Sequence, residues 1–207
     1  MSYLRDLLSK KKLLIFDFDG TLVNTSKYHQ EAFSQILSRK KIDFNYDDIA
    51  GMNSISAFKK VFKENNFSIS SQDLSILVSE KQSLARSLIS KNLIINSNVL
   101  FFLKWMHHSA DFKSCIVSSG SRQTIDIVLK KFSIDHYFDF ILASEDVIDS
   151  KPSPEGFLKA IEISEIQPED AIIFEDSKAG LVAAQNARID FLEVDNLFWE
   201  RLASMIQ

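Results

Sequence analysis

A single cysteine, Cys115, cannot close an internal disulfide, and its place in the apolar run Cys115-Ile116-Val117 makes it a small core residue, not a reactive thiol. The chain also lacks an apolar stretch of membrane-spanning length. Arg5 and Asp6 interrupt Leu4, Leu7 and Leu8, where a secretory leader would need an unbroken apolar run. A cytoplasmic protein with no membrane partner is the expectation. Positive charge is not in excess: 24 Lys and Arg against 28 Asp and Glu give a net charge of −4, so no general basic field exists to attract nucleic acid. The run Lys10-Lys11-Lys12 reads as a solvated edge ahead of the first strand. Repeats and low-complexity segments are absent. What is present is an ordinary globular composition, 45% hydrophobic and 25% charged with 17 Phe in 207 residues, enough for one aromatic-rich core with or without a small accessory domain.

The stretch Leu13-Leu14-Ile15-Phe16-Asp17-Phe18-Asp19-Gly20-Thr21 organises the rest. Four apolar residues in a row suit a strand covered on both faces, and Gly20 allows the turn that follows. From Asn24 or Thr25, either of which could cap a helix, helical periodicity then holds for about seventy residues. Tyr28, Ala32, Phe33, Ile36 and Leu37 mark one apolar stripe. A short helix is predicted over Asn45 to Ala50, another on Ile55, Phe58, Val61 and Phe62, and the longest from Asp73 through Leu88. Beyond Asn96-Ser97-Asn98, helix and strand alternate, with strands predicted at Ser114–Ser118, Phe138–Ala143, Ala171–Phe174 and Phe191–Val194. This βαβ succession predicts an α/β protein: a Rossmann-like parallel sheet core, residues 1–22 and 96–207, with an all-helical domain, residues 23–95, inserted after the first strand.

In a parallel sheet the ligand site lies beyond the carboxyl ends of the strands, and each polar cluster here sits at such an end. Asp17 and Asp19 follow the first, Ser119 and Gly120 the second, Lys151 lies in the loop after the third, and Glu175 and Asp176 follow the fourth. Two carboxylates ionised together in a dry pocket need a cation or a shared proton. Acids from two strands bind a hard cation, a hydroxyl beside backbone amides holds phosphate oxygens, and a lysine balances the remaining charge. That is the equipment of phosphoryl transfer to a carboxylate. Each cluster alone has a plainer reading. Ser118 to Ser121 is an ordinary turn, Ser153 and Pro154 suit a helix start, and Glu175 and Asp176 suit the beginning of the next helix. Their occurrence together and in order favours chemistry. His107, His108 and His136 have no partners at metal-ligand spacing.

With these residues in place the chain resembles the haloacid dehalogenase superfamily, in its β-phosphoglucomutase and phosphoglycolate-phosphatase-like branch. The resemblance covers nearly the whole chain. Asp17 to Thr21 (DFDGT) is similar to the first motif, Val117 to Ser121 (VSSGS) to the second, Lys151 to Phe157 (KPSPEGF) to the third and Phe174 to Gly180 (FEDSKAG) to the fourth. The resemblance implies a helical cap that closes over the substrate, and a Mg²⁺ cofactor bound through Asp17, Asp19, Glu175 and Asp176. It also implies Asp17 as nucleophile, Asp19 as general acid and base, Lys151 as a further catalytic residue, and Ser119, Gly120 and Thr21 as phosphate contacts. His29 matches a cap-hinge histidine, whereas Asn24 replaces the aspartate usual in relatives. The expected activity is hydrolysis of a small phosphorylated metabolite by a monomer. Rivals are a sugar-phosphate mutase, a catalytically idle binding protein and, more weakly, a dehalogenase. In the mutases an arginine follows the cap-loop glycine and binds a distal phosphate. Here Gly51-Met52-Asn53-Ser54 puts Ser54 at that place, with Lys59, Lys60 or Lys81 as substitute charges, which favours the phosphatase.

Overall fold

The computed structural model describes residues 7–108 and 112–206, so Arg5 and Asp6 lie outside the described residues. Strand β1 (Leu13–Phe16) is buried at all four positions, as an apolar run covered on both faces must be. The chain separates into two compact units, Asn24–Leu93 and the remainder, Met1–Val23 with Ile94–Gln207.

The first unit is helical: α1 (Ser26–Ser38), α2 (Ser54–Glu64) and α3 (Ser71–Asn92). Its core is built by residues at three- and four-residue spacing, Phe33, Ile36 and Leu37 from α1, Phe58, Val61 and Phe62 from α2, and Leu74, Leu77 and Val78 from α3. The helix predicted over Asn45 to Ala50 is a single 3₁₀ turn, Tyr46–Asp48, because the Asn45 side chain accepts the Asp47 amide and closes the turn locally.

In the second unit, α4 (Ser97–His108), β2 (Lys113–Val117), α5 (Arg122–Phe132), β3 (Phe140–Leu142), α6 (Glu155–Ser164), β4 (Ala171–Glu175), α7 (Lys178–Ala187), β5 (Asp190–Glu193) and α8 (Phe198–Ile206) follow in turn. All five strands are parallel in the order β3-β2-β1-β4-β5, which puts β1 in the middle and β3 and β5 at the edges. Alternation divides the sheet. Leu13 and Ile15 join Phe157, Ala160, Ala183 and Ala184 on one face. On the other, Phe16 and Phe174 stack with ring centroids 4.7 Å apart beside Phe102 and Trp199.

Three sequence readings change. Glu175 is the last residue of β4 and does not follow it; its side chain is wholly buried. Lys11 is not solvated: it is 6% exposed, with Nζ 2.6 Å from Asp190 and 2.7 Å from the Glu169 carbonyl, so only its neighbours Lys10 and Lys12 are exposed. Helix α8 has no counterpart in the predicted elements, although Phe198, Trp199, Leu202 and Ala203 line one buried face over its roughly two and a half turns. No described helix is long and apolar enough to cross a membrane.

With only five glycines in the chain, several helices end on other residues in the left-handed region: Ser133 (φ 54°), Glu165 (φ 57°) and Arg188 (φ 56°). A side chain there costs about 1 kcal/mol, partly offset by the entropy glycine loses on folding. Arg188→Gly is therefore expected to stabilise by about 0.5 kcal/mol and to raise the thermal midpoint by about 1–2 °C, read from a melting curve. A lowered midpoint would show that the Arg188 side chain supplies a contact worth more than the strain.

Candidate active site

The Lys151 ammonium is the meeting point of three strands. Its three donors go to Asp17 Oδ1 at the end of β1 (2.5 Å), the Val117 carbonyl at the end of β2 (3.0 Å) and Glu175 Oε2 at the end of β4 (2.7 Å). The Phe157 ring, in the first turn of α6, has its centroid 5.1 Å from Nζ and covers it. All three side chains are shielded, with 8% exposure for Lys151, 10% for Asp17 and none for Glu175. Burial, and then the neighbouring Glu175 charge, raise the Asp17 pKa well above the usual carboxylate range, with Lys151 acting in the opposite sense. Burial works against the Lys151 ammonium as well, but Asp17 and Glu175 outweigh it and hold its pKa above that of a free lysine.

Glu175 is fixed from its other oxygen by the Ser177 amide (3.0 Å) and hydroxyl (2.8 Å), and Ser177 in turn caps α7 at the Gly180 amide. A Cβ on Gly180 would lie 2.0 Å from the Glu175 carboxyl carbon, so only glycine admits this side chain. Asp176 accepts from the Thr21 hydroxyl at 3.1 Å. Its pKa rises to about 6, through burial and then repulsion by Glu175, with Asp19 contributing in the same sense. Gly20, at φ 98°, presses its backbone against the same carboxylate: a Cβ there would meet Asp176 Oδ2 at 2.0 Å. Asp19 is half-buried in the turn closed by the Gly20 amide on the Val23 carbonyl.

Ser119 follows β2 by two residues, and its buried hydroxyl has no hydrogen-bond partner among the described residues. Gly120 shapes that turn, its amide donating to Ser118 Oγ and its carbonyl accepting from Ser144. His29 lies in the helical unit. Its Nδ1 is 2.8 Å from Lys81 Nζ, and burial followed by the Lys81 charge drops its pKa to about 3. The imidazole is therefore neutral; Nδ1 accepts from the ammonium and Nε2 carries the proton. Lys81 is itself buried, 3.3 Å from Ser54 Oγ and 4.4 Å above the Phe33 ring, whereas a lysine on an amphipathic helix is ordinarily solvated.

Among the described residues one cluster suits a metal: Asp17, Glu175 and Asp176 offer carboxylate oxygens that all lie within 4.8 Å of one another. The donor set is all oxygen, and the raised proton affinities of Asp17 and Asp176 record first their burial and then negative charge that Lys151 alone does not balance. A hard divalent cation fits both facts. Both Glu175 oxygens already accept from Ser177 and Lys151, so coordination would fall to Asp17 and Asp176. Two supporting residues escaped the sequence reading. Ser177 could have been found as a serine three residues before Gly180 at a helix start, and Glu155 as an acid in the first turn after Pro154. The Glu155 carboxylate takes the amides of Ile148 and Asp149, both at 2.8 Å, and so fixes the loop that carries Lys151.

Comparison with known proteins agrees with this architecture. The chain is 26% identical over 182 residues to the fructose-1-phosphate phosphatase of Escherichia coli, covering 87% of this chain and 95% of that one. It is 25% identical over 180 residues to a phosphorylated carbohydrates phosphatase of Thermotoga maritima, covering 86% and 82%. The crystal structure of β-phosphoglucomutase from Clostridium difficile superposes with a TM-score of 0.80 at 26% identity, covering 92% of this chain and 87% of that one. The pattern that defines the haloacid dehalogenase-like hydrolases runs through residues 14–194, from within β1 to just past β5, and the chain belongs to that family.

Proposed function

We propose that the protein is a Mg²⁺-dependent phosphatase acting on a small phosphorylated metabolite, a sugar phosphate or a phosphoglycolate-like acid, through an aspartyl phosphate on Asp17. The observation that carries this reading is the grip of Lys151 on the ends of β1, β2 and β4, which gathers Asp17, the Val117 carbonyl and Glu175 around one ammonium. Ionised Asp17 attacks phosphorus, and the bond to the leaving oxygen breaks as Asp19 gives that oxygen a proton. Asp19 then takes a proton from water, whose oxygen attacks the phosphorus and releases inorganic phosphate from Asp17. Lys151 fixes the Asp17 carboxylate and favours its ionised form. The unpartnered Ser119 hydroxyl is a donor for a phosphoryl oxygen, while Thr21 spends its hydroxyl on Asp176. Asp17, the Asp19 carbonyl and Asp176 would hold Mg²⁺, which would supply positive charge to the phosphoryl oxygens.

The relatives that act on fructose 1-phosphate and on phosphorylated carbohydrates support a sugar phosphate as substrate. A mutase remains the rival because Lys81 puts a cation beside Ser54, at the place of the mutase arginine. A lysine is a point charge without the bidentate fork, so a released sugar phosphate is held less well and water is the expected acceptor. The test is incubation with β-glucose 1-phosphate and a trace of glucose 1,6-bisphosphate, beside a panel of sugar phosphates. Inorganic phosphate is the expected product. Rapid glucose 6-phosphate with little free phosphate would make the protein a mutase.

A separate expectation concerns Asp19. Asp19→Asn should slow hydrolysis of an alkyl phosphate by about 10²–10⁴-fold, yet retard formation of the phospho-enzyme from p-nitrophenyl phosphate much less, since that leaving group needs no proton. Equal retardation of both first steps in rapid-mixing experiments contradicts the acid role.

A further inference from the structure

Trp199 belongs to α8, beyond the residues 14–194 that define the family, yet its indole reaches the loop behind the nucleophile. Nε1 donates to the Thr21 carbonyl at 2.8 Å in a buried hydrogen bond spanning 178 positions of sequence. The loop's own bonds leave that carbonyl aside: Gly20 donates to Val23, and Leu22 and Val23 both donate to Phe18. Thr21 is 3% exposed, so its carbonyl needs a protein donor. At its other end the same residue directs its hydroxyl to Asp176 Oδ1. Two hydrogen bonds thus lead from α8 through one threonine to a carboxylate of the acidic cluster.

The indole is held where it can only serve that bond. It stacks on Phe174 at 17° with centroids 5.9 Å apart, and lies 6.5 Å from Phe16 and 5.3 Å from Phe102. Phe16 immediately precedes Asp17, and Phe174 immediately precedes Glu175 and Asp176. The ring therefore rests on the last apolar residue of each strand that delivers an acid, and its one donor closes the loop between them. We infer that Trp199 is a positioning residue for the active site: through Thr21 it sets the Asp19–Val23 turn and the Asp176 carboxylate for Mg²⁺. This rests on the Mg²⁺ reading proposed above.

Trp199→Phe keeps an aromatic ring against Phe174 and removes the N–H, so packing and hydrogen bonding are separated. In W199F the Mg²⁺ dissociation constant, measured by calorimetry, should rise about tenfold, as for other groups that orient a metal ligand. Amides of residues 20–23 should exchange faster with solvent, and turnover should recover at high Mg²⁺. A dissociation constant within twofold of wild type overturns the inference. Should W199F not fold, Trp105→Phe leaves Trp199 as the single tryptophan, and its emission, excited at about 295 nm to avoid the four tyrosines, should change on Mg²⁺ addition with the calorimetric midpoint. Emission indifferent to saturating Mg²⁺ also overturns it. Wild-type protein that binds no Mg²⁺ removes the metal reading itself, a result distinct from an unchanged ratio between W199F and a wild type that does bind.

Discussion

Asp17→Asn should lower turnover of every phosphate ester by about 10⁴-fold or more while the protein stays folded, because an amide oxygen cannot form the phospho-enzyme. Stability should move the other way. Burial and the Glu175 charge raise the Asp17 pKa, so the native state keeps a proton that the unfolded chain has already released. For such a group stability is fully present below the unfolded pKa, near 4, and is lost as pH rises through the folded value. Asp176, at about 6, behaves in the same sense. Without metal, D17N should melt no lower than wild type at pH 7.5, and should depend less on pH between 4 and 7. Mg²⁺ competes with these protons, so the gain in melting temperature it gives wild type should be larger at pH 7.5 than at pH 5 and largely absent in D17N. A D17N protein that retains substantial hydrolysis of p-nitrophenyl phosphate would disprove the nucleophile assignment. A Mg²⁺ gain independent of pH would detach the metal from these carboxylates.

Lys151→Met should destabilise by about 3–5 kcal/mol at pH 7.5, the usual consequence of deleting one member of a buried ionic cluster and leaving the rest uncompensated. Asp17 and Glu175 lose their shared cation, and the Val117 carbonyl loses its donor. The deficit should shrink as pH falls, since protonating Asp17 removes the charge that Lys151 neutralised. Turnover should drop by about 10³-fold as well, because a cation that stabilises developing charge in a dry site contributes several kcal/mol. Urea unfolding at pH 5 and 7.5 measures the first effect and phosphate release the second. A K151M protein within about 1 kcal/mol of wild type at both pH values would mean that the cluster is hydrated and the lysine structurally dispensable.

The fold of this chain and its acidic cluster are legible in the sequence where local pattern suffices to place them. Leu13 to Phe16 announce a fully buried strand, and Asp17 and Asp19 after it announce a charged tip, so β1 and its acids need no tertiary information. Lys151 is legible as unexplained: Ser153 and Pro154 account for the helix start nearby, and the lysine is left over. Its three partners lie 134, 34 and 24 positions away and appear only when the sheet forms. Lys11 stands in a run of three lysines that reads as a solvated edge; the Glu169 carbonyl and Asp190 that bury it come from more than 150 residues further on. Trp199 escaped for the same reason. Its hydrogen bond has no spacing to be recognised by, since the acceptor lies 178 positions away.

The position of β3 and β5 at the margins of the sheet bears on how copies of this protein behave at high concentration. An unprotected strand edge invites pairing with another chain and, in the extreme, cross-β aggregation. Here β3 has only three residues, and β5 carries acids at both ends, Asp190 and Glu193, the first of them committed to Lys11. A second β5 laid alongside would bring like charges together at each end while offering two apolar residues in return. Neutralising that margin, as in Glu193→Val, would lengthen the apolar run and turn a strand that repels its own kind into one that can template it.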